Sequence, residues 1–175
     1  MIFIFDLDGT VIDTAHRYRN GPDGSIDMAY WFANCTDEKI AADTLLPLAD
    51  VMRRYYAEGH TVIICTARCF READHKYLAD NNIPFHFLLS RAGRFVTADS
   101  PEYADSYYGF IGDSRGDAEM KSAMLDEWAA SQGLPENWRI NACMFDDNVK
   151  VIRRMMKDRL MCFDAVKYNA RLAAA

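Results

Sequence analysis

Two carboxylates, Asp6 and Asp8, follow the apolar run Ile2-Phe3-Ile4-Phe5. That run reads as a buried parallel strand. Acids at the end of such a strand are costly unless something uses them. The carboxyl ends of strands in an open α/β sheet are also where ligands bind. Asp146 and Asp147 close a later apolar run, and Thr66 closes another. Gathered at one rim, these carboxylates would repel one another at neutral pH. A hard cation with oxygen ligands relieves that repulsion, and Mg²⁺ suits a site shared with a phosphate. Lys121, early in a helical pattern, supplies a matching positive charge.

The elements that must position these residues alternate. Strands are expected at 2–5, 61–65, 85–89, 140–145 and 160–163, and helices at 44–58, 70–81, 117–132 and 148–157. This order implies an α/β fold, a Rossmann-like parallel sheet with helices on both faces. Residues 14–37 are polar and aromatic, with a turn at Asn20-Gly21-Pro22-Asp23-Gly24 and a helix cap at Thr36. The insertion at 14–43 is too short for an independent domain, so one domain over 1–175 with a small flap, and a minimal or absent cap, is expected. Residues 90–110 read as a loop or a small hairpin. Tyr30-Trp31-Phe32 either packs the insertion or forms a lid that stacks on a base.

Half of the 175 residues are hydrophobic, which argues against disorder, and the net charge of −6 argues against broad binding to nucleic acid. The opening apolar stretch has no basic flank and is too short for a signal peptide or a membrane span. Five cysteines, odd in number and without a CxxC pair, read as free thiols of a reducing cytoplasm.

Asp6-Leu7-Asp8-Gly9-Thr10, a strand ending in Thr66, the helical Lys121 and the acidic pair Asp146-Asp147 resemble the four signature motifs of the haloacid dehalogenase (HAD) superfamily, in order and across the chain. The resemblance implies a phosphatase in which Asp6 is the nucleophile and Asp8 the acid and base. Thr66 and Lys121 would hold the phosphoryl oxygens. Asp6, Asp8 (by its carbonyl), Asp146 and Asp147 would hold Mg²⁺.

A narrower likeness lies at 112–125, GDSRGDAEMKSAML. It is similar to the 3′-phosphatase domain of bacteriophage polynucleotide kinase-phosphatases. That likeness adds Arg17, Arg68, Arg115 and Asp117 as substrate-binding candidates. It implies a 3′-phosphorylated polynucleotide end or nucleotide as substrate, and the host cytoplasm as location if the source is a phage. Arg17 could equally form a salt bridge, and Arg115 and Asp117 could pair with each other or cap the helix. The chain holds no GxxxxGK[ST] loop, and Ala67 stands where those relatives tend to have Gly. A mononucleotidase is the alternative within enzymes. A non-catalytic phosphate-binding protein is the alternative outside them.

Overall fold

The computed structural model describes residues 1–22, 26–96 and 98–175. The end of the turn expected at 20–24 lies outside the described residues.

The chain opens with β1 (Ile2–Phe5) and the short β2 (Ile12–Asp13). The insertion carries a 3₁₀ turn (Ala15–Arg17), α1 (Met28–Ala33), α2 (Asp37–Ala41) and β3 (Thr44–Leu45), which pairs antiparallel with β2. Then come α3 (Leu48–Ala57), β4 (Thr61–Thr66), α4 (Glu72–Asp80) and β5 (Phe87–Ser90). A hairpin of β6 (Gly93–Phe95) and β7 (Phe110–Gly112) follows, with a 3₁₀ helix (Pro101–Asp105) between its strands. The chain finishes with α5 (Asp117–Ser131), β8 (Ala142–Asp146), α6 (Val149–Lys157), β9 (Met161–Asp164) and α7 (Ala165–Ala173).

Five strands form one parallel sheet in the order β5-β4-β1-β8-β9. Its central strands are apolar on both faces because both are covered. Phe3, Phe5, Val62, Ile64, Cys143 and Phe145 face α3, α4 and α7. Ile4, Ile63, Cys65 and Met144 alternate with them and face α5 and α6. Burying each such side chain contributes roughly 1.5–3 kcal/mol, so the rim carrying the motifs stands on a well-supported frame. No helix among the described residues is long and apolar enough to cross a membrane.

One expectation needs correction, and two helices were not foreseen. The helix placed at 44–58 starts only at Leu48. Pro47 disfavours helical backbone in the residue before it, and Thr44-Leu45 are drawn into the pairing with β2. α1 forms inside the polar, aromatic stretch, capped by Asp27, whose side chain accepts from the Tyr30 N–H at 3.0 Å. α7 occupies the tail beyond the last strand. It repays its ordering through Asn169, which donates to the Thr10 carbonyl at 2.9 Å and accepts from the Leu48 N–H at 2.8 Å. The C-terminal helix thus ties the DLDGT loop to the start of α3.

Candidate active site

Asp6 leaves the end of β1, held there by its N–H donating to the Phe145 carbonyl at 3.0 Å. β1 lies between β4 and β8, so Thr66 and Asp146-Asp147 flank it along one rim. Lys121 reaches in from the second turn of α5. Its Nζ lies 2.7 Å from Asp146 Oδ2 and 2.9 Å from Asp6 Oδ1, and all three residues are buried. Burial alone would pull the Lys121 ammonium down, but Asp6 and Asp146 outweigh it and hold it protonated above its ordinary range.

Burial pushes Asp6 well above the usual carboxylate range, and Asp146, Asp147 and Asp8 add to the push against the opposing Lys121 charge. Asp147 is pushed up to about 6 by burial and by Asp146. Asp6, Asp146 and Asp147 each bring a carboxylate oxygen to within 4.8 Å of the others. Despite its closeness to Lys121, Asp6 Oδ1 has no hydrogen-bond partner and is buried. An orphaned carboxylate oxygen beside two further acids fits a hard oxygen-loving cation. Asp146 is the most committed of the three, with Oδ1 accepting from the Asn148 N–H at 2.9 Å and Oδ2 from Lys121.

Thr66 ends β4 fully buried, its Oγ1 accepting from the Arg68 N–H at 3.2 Å. Asp8 faces the cavity beside these groups. Arg68 binds it in a fork, Nη2 at 2.5 Å and Nε at 3.2 Å, and Arg17 Nη2 lies 3.6 Å away. Burial raises Asp8, but Arg68 and then Arg17 outweigh it and hold the carboxyl below its usual range.

The four substrate-binding candidates all border the cavity, but their partners differ from those expected. Arg17 is not a surface salt bridge: it is completely buried, with Nε and Nη2 each 2.8 Å from Asp43. Arg68 spends its fork on Asp8 and Asp74. Arg115 and Asp117 do not pair with each other. Arg115 pairs with Asp113 at 2.7 Å, and Asp117 accepts from Arg91 at 2.7 Å. Arg91 also donates to the carbonyls of Ala67, Asp113 and Arg115, and so ties the loop after β4 to the loop before α5.

Above these groups lies a cavity of about 870 Å³. Its roof has two parts, the insertion and the hairpin at 93–112. They meet through Phe32 of α1, which stacks on Phe110 at 5.6 Å and meets Phe95 and Tyr107 edge-on at 5.7 and 6.2 Å. Trp31 lies over the Arg17 guanidinium at 4.9 Å. Phe32 therefore packs the roof, the first of the two expected purposes, and Trp31 borders the cavity.

All of residues 1–175 match the family described as Bacteriophage T5 5′-deoxynucleotidase. The chain belongs to that family. A 5′-deoxynucleotidase of Escherichia phage T5 is 40% identical over 81 residues, 44% of this chain and 33% of the phage protein. The match thus spans about a third of that relative's length. Among solved structures, a chain of the Pnkp1/Rnl/Hen1 RNA repair complex superposes with a TM-score of 0.60 at 23% identity, covering 93% of this chain and 41% of that one. A haloacid dehalogenase-like hydrolase from Streptococcus pneumoniae gives a TM-score of 0.55 at 11% identity over 96% of this chain and 90% of its own. Within the family, the chain has the HAD fold.

Proposed function

We propose that this protein is a Mg²⁺-dependent phosphomonoesterase that removes the phosphate of a deoxynucleoside 5′-monophosphate. The observation that carries the reading is the convergence of Asp6, Asp8, Thr66, Lys121 and Asp147 on one roofed cavity. Asp6, its charge offset by Lys121, attacks phosphorus as its carboxylate and the ester bond breaks. Asp8, which Arg68 and Arg17 hold ionised in the resting site, passes to the leaving 5′ oxygen the proton that the phosphate monoanion brings in. Asp8 then takes a proton from the water that attacks the aspartyl-phosphate, releasing inorganic phosphate and free Asp6. Thr66 and Lys121 hold the phosphoryl oxygens. Asp6, Asp146 and Asp147, with the Asp8 carbonyl, would hold Mg²⁺, which supplies charge neutralisation for the transferring group.

The loop before Lys121 resembles 3′-phosphatases, whereas the whole-chain family carries the description of a 5′-deoxynucleotidase. The roof favours the same choice, because an aromatic-lined cavity of about 870 Å³ suits a mononucleotide rather than a passing strand. A non-catalytic role is disfavoured because binding a phosphate does not require Asp8. Deoxynucleoside 5′- and 3′-monophosphates and a 3′-phosphorylated oligonucleotide, each offered with Mg²⁺ and with chelator, test the reading. Phosphate release from the 5′-monophosphates with Mg²⁺ is expected. Turnover of the 3′-phosphorylated substrates alone would overturn the substrate assignment, and turnover of none would overturn the activity.

A further inference from the structure

Two buried acids have no part in the chemistry above. Asp43 lies between α2 and β3, and Asp74 in the first turn of α4, with side chains only 0% and 2% exposed. An Asp early in a helix is ordinarily solvated, where it interacts with the helix dipole. Buried, it must be paired. Each of these holds one guanidinium from behind. Asp43 accepts Nε and Nη2 of Arg17 at 2.8 Å, and Asp74 accepts Nη1 of Arg68 at 2.6 Å.

Arg68 turns its Nε–Nη2 edge to Asp8, and Arg17 Nη2, the nitrogen that also donates to Asp43, lies 3.6 Å from Asp8. A continuous chain results, Asp74–Arg68–Asp8–Arg17–Asp43, closed by a 3.6 Å approach of Arg68 Nη2 to Asp43. Further contacts immobilise its ends. The Tyr77 hydroxyl donates to the Asp43 carbonyl at 3.0 Å, and the second oxygen of Asp74 accepts from the Arg71 N–H at 2.9 Å. A guanidinium gripped on one edge by a buried carboxylate presents its remaining N–H groups in a fixed plane.

We propose that Asp43 and Asp74 are positioning residues: by anchoring Arg17 and Arg68 from behind, they set the place of the Asp8 carboxyl in the cavity. The inference rests on the reading of Asp8 as the proton shuttle. Neither acid touches the substrate. Without Asp43, the Arg17 fork has only Asp8 left as an anionic partner, and without Asp74 Arg68 keeps its fork on Asp8 and only the 3.6 Å approach to Asp43. Either loss draws Asp8 out of line with the leaving oxygen, so it slows proton donation while leaving the phosphate pocket intact.

Leaving-group chemistry separates this from a general structural role. A deoxynucleoside is a poor leaving group and needs the Asp8 proton, whereas 4-nitrophenolate leaves without it. Single-turnover phosphoryl transfer from both substrates, with Mg²⁺, is compared for wild type, Asp43→Asn, Asp74→Asn and Arg17→Lys. Thermal melts show which variants are folded. Misplacing an acid that contributes two or more decades slows transfer from the deoxynucleotide by roughly tenfold to a hundredfold. Transfer from the aryl phosphate changes by less than about threefold, and KM for the deoxynucleotide by a similar small factor. Arg17→Lys keeps the buried charge but cannot span Asp43 and Asp8, and shows the same selective loss even if Asp43→Asn does not fold. Equal slowing of both substrates in the folded variants, or none, overturns the positioning role alone. A wild type inert toward both substrates overturns the phosphatase reading, and this inference with it.

Discussion

Gly9 and Asp147 stand so close that a Cβ on Gly9 would lie 2.4 Å from Asp147 Oδ2. Gly9 also has φ of +70°, where a side chain is strained. The glycine of the DLDGT loop thus leaves room for an acid of the carboxylate cluster. Gly9→Ala therefore strains the loop by about 1–2 kcal/mol and displaces Asp147. Its expected signature is weakened Mg²⁺ binding, seen as a higher Mg²⁺ concentration for half-maximal activity, with the protein still folded. Unchanged Mg²⁺ dependence would contradict the role given to this contact.

Lys121 is the buried cation between Asp6 and Asp146. Removing one partner of a buried ion pair leaves uncompensated charge, typically costing about 3–5 kcal/mol. Lys121→Met is expected to lose activity and to unfold at lower urea. Mg²⁺ should recover part of that stability if it binds the same two carboxylates, as proposed. A variant as stable as wild type without metal would count against the geometry.

Much of this site was legible before folding because its residues close strands. Asp6, Thr66 and Asp146 sit at abrupt changes from apolar to polar, and parallel pairing brings such ends to one rim. Lys121 was legible from its spacing within the motif order. Asp43, Asp74 and Arg91 were not. In the sequence they look like ordinary polar residues at helix ends and in a loop, and only tertiary contact brings them against Arg17, Arg68 and Asp117. The roof was half legible. The aromatics at 30–32 and the hairpin option at 90–110 stood out, but their meeting at Phe32 depends on two insertions far apart in the chain. β3 and the late start of α3 were missed because local helical periodicity outvoted Pro47.

Asp147, pushed up to about 6, makes a prediction about metal-free stability. An unfolded Asp titrates near 3.9, about two units lower. The folded state therefore binds this proton more tightly, and stability falls as pH rises from about 4 to about 6. Asp6, raised for the same reason, acts in the same direction. Metal-free protein should melt at a lower temperature at about pH 7 than at about pH 5, and Asp147→Asn should flatten that difference. Saturating Mg²⁺ at about pH 7 should restore the loss. Identical melting profiles for wild type and Asp147→Asn across the window would contradict this account.

Phe32 joins the two parts of the roof. Phe32→Ala opens the cavity above the nucleoside without touching the phosphate end. KM for a deoxynucleotide should rise roughly tenfold, equivalent to about 1.4 kcal/mol of binding. KM for a small aryl phosphate should stay within about twofold, as expected for lost uniform binding. Equal effects on both substrates would show that Phe32 supports the floor of the site rather than its roof.

The central claim is that Asp6 carries the phosphoryl group and Asp8 moves the protons. Asp8→Asn, given an aryl phosphate and Mg²⁺, separates the two, because the leaving group needs no acid while the second step still needs the base. The account predicts a burst of aryl alcohol approaching one per enzyme, with the phosphoryl group found by mass spectrometry on the peptide containing Asp6. Turnover with no burst and no adduct, or an adduct on another residue, would contradict it.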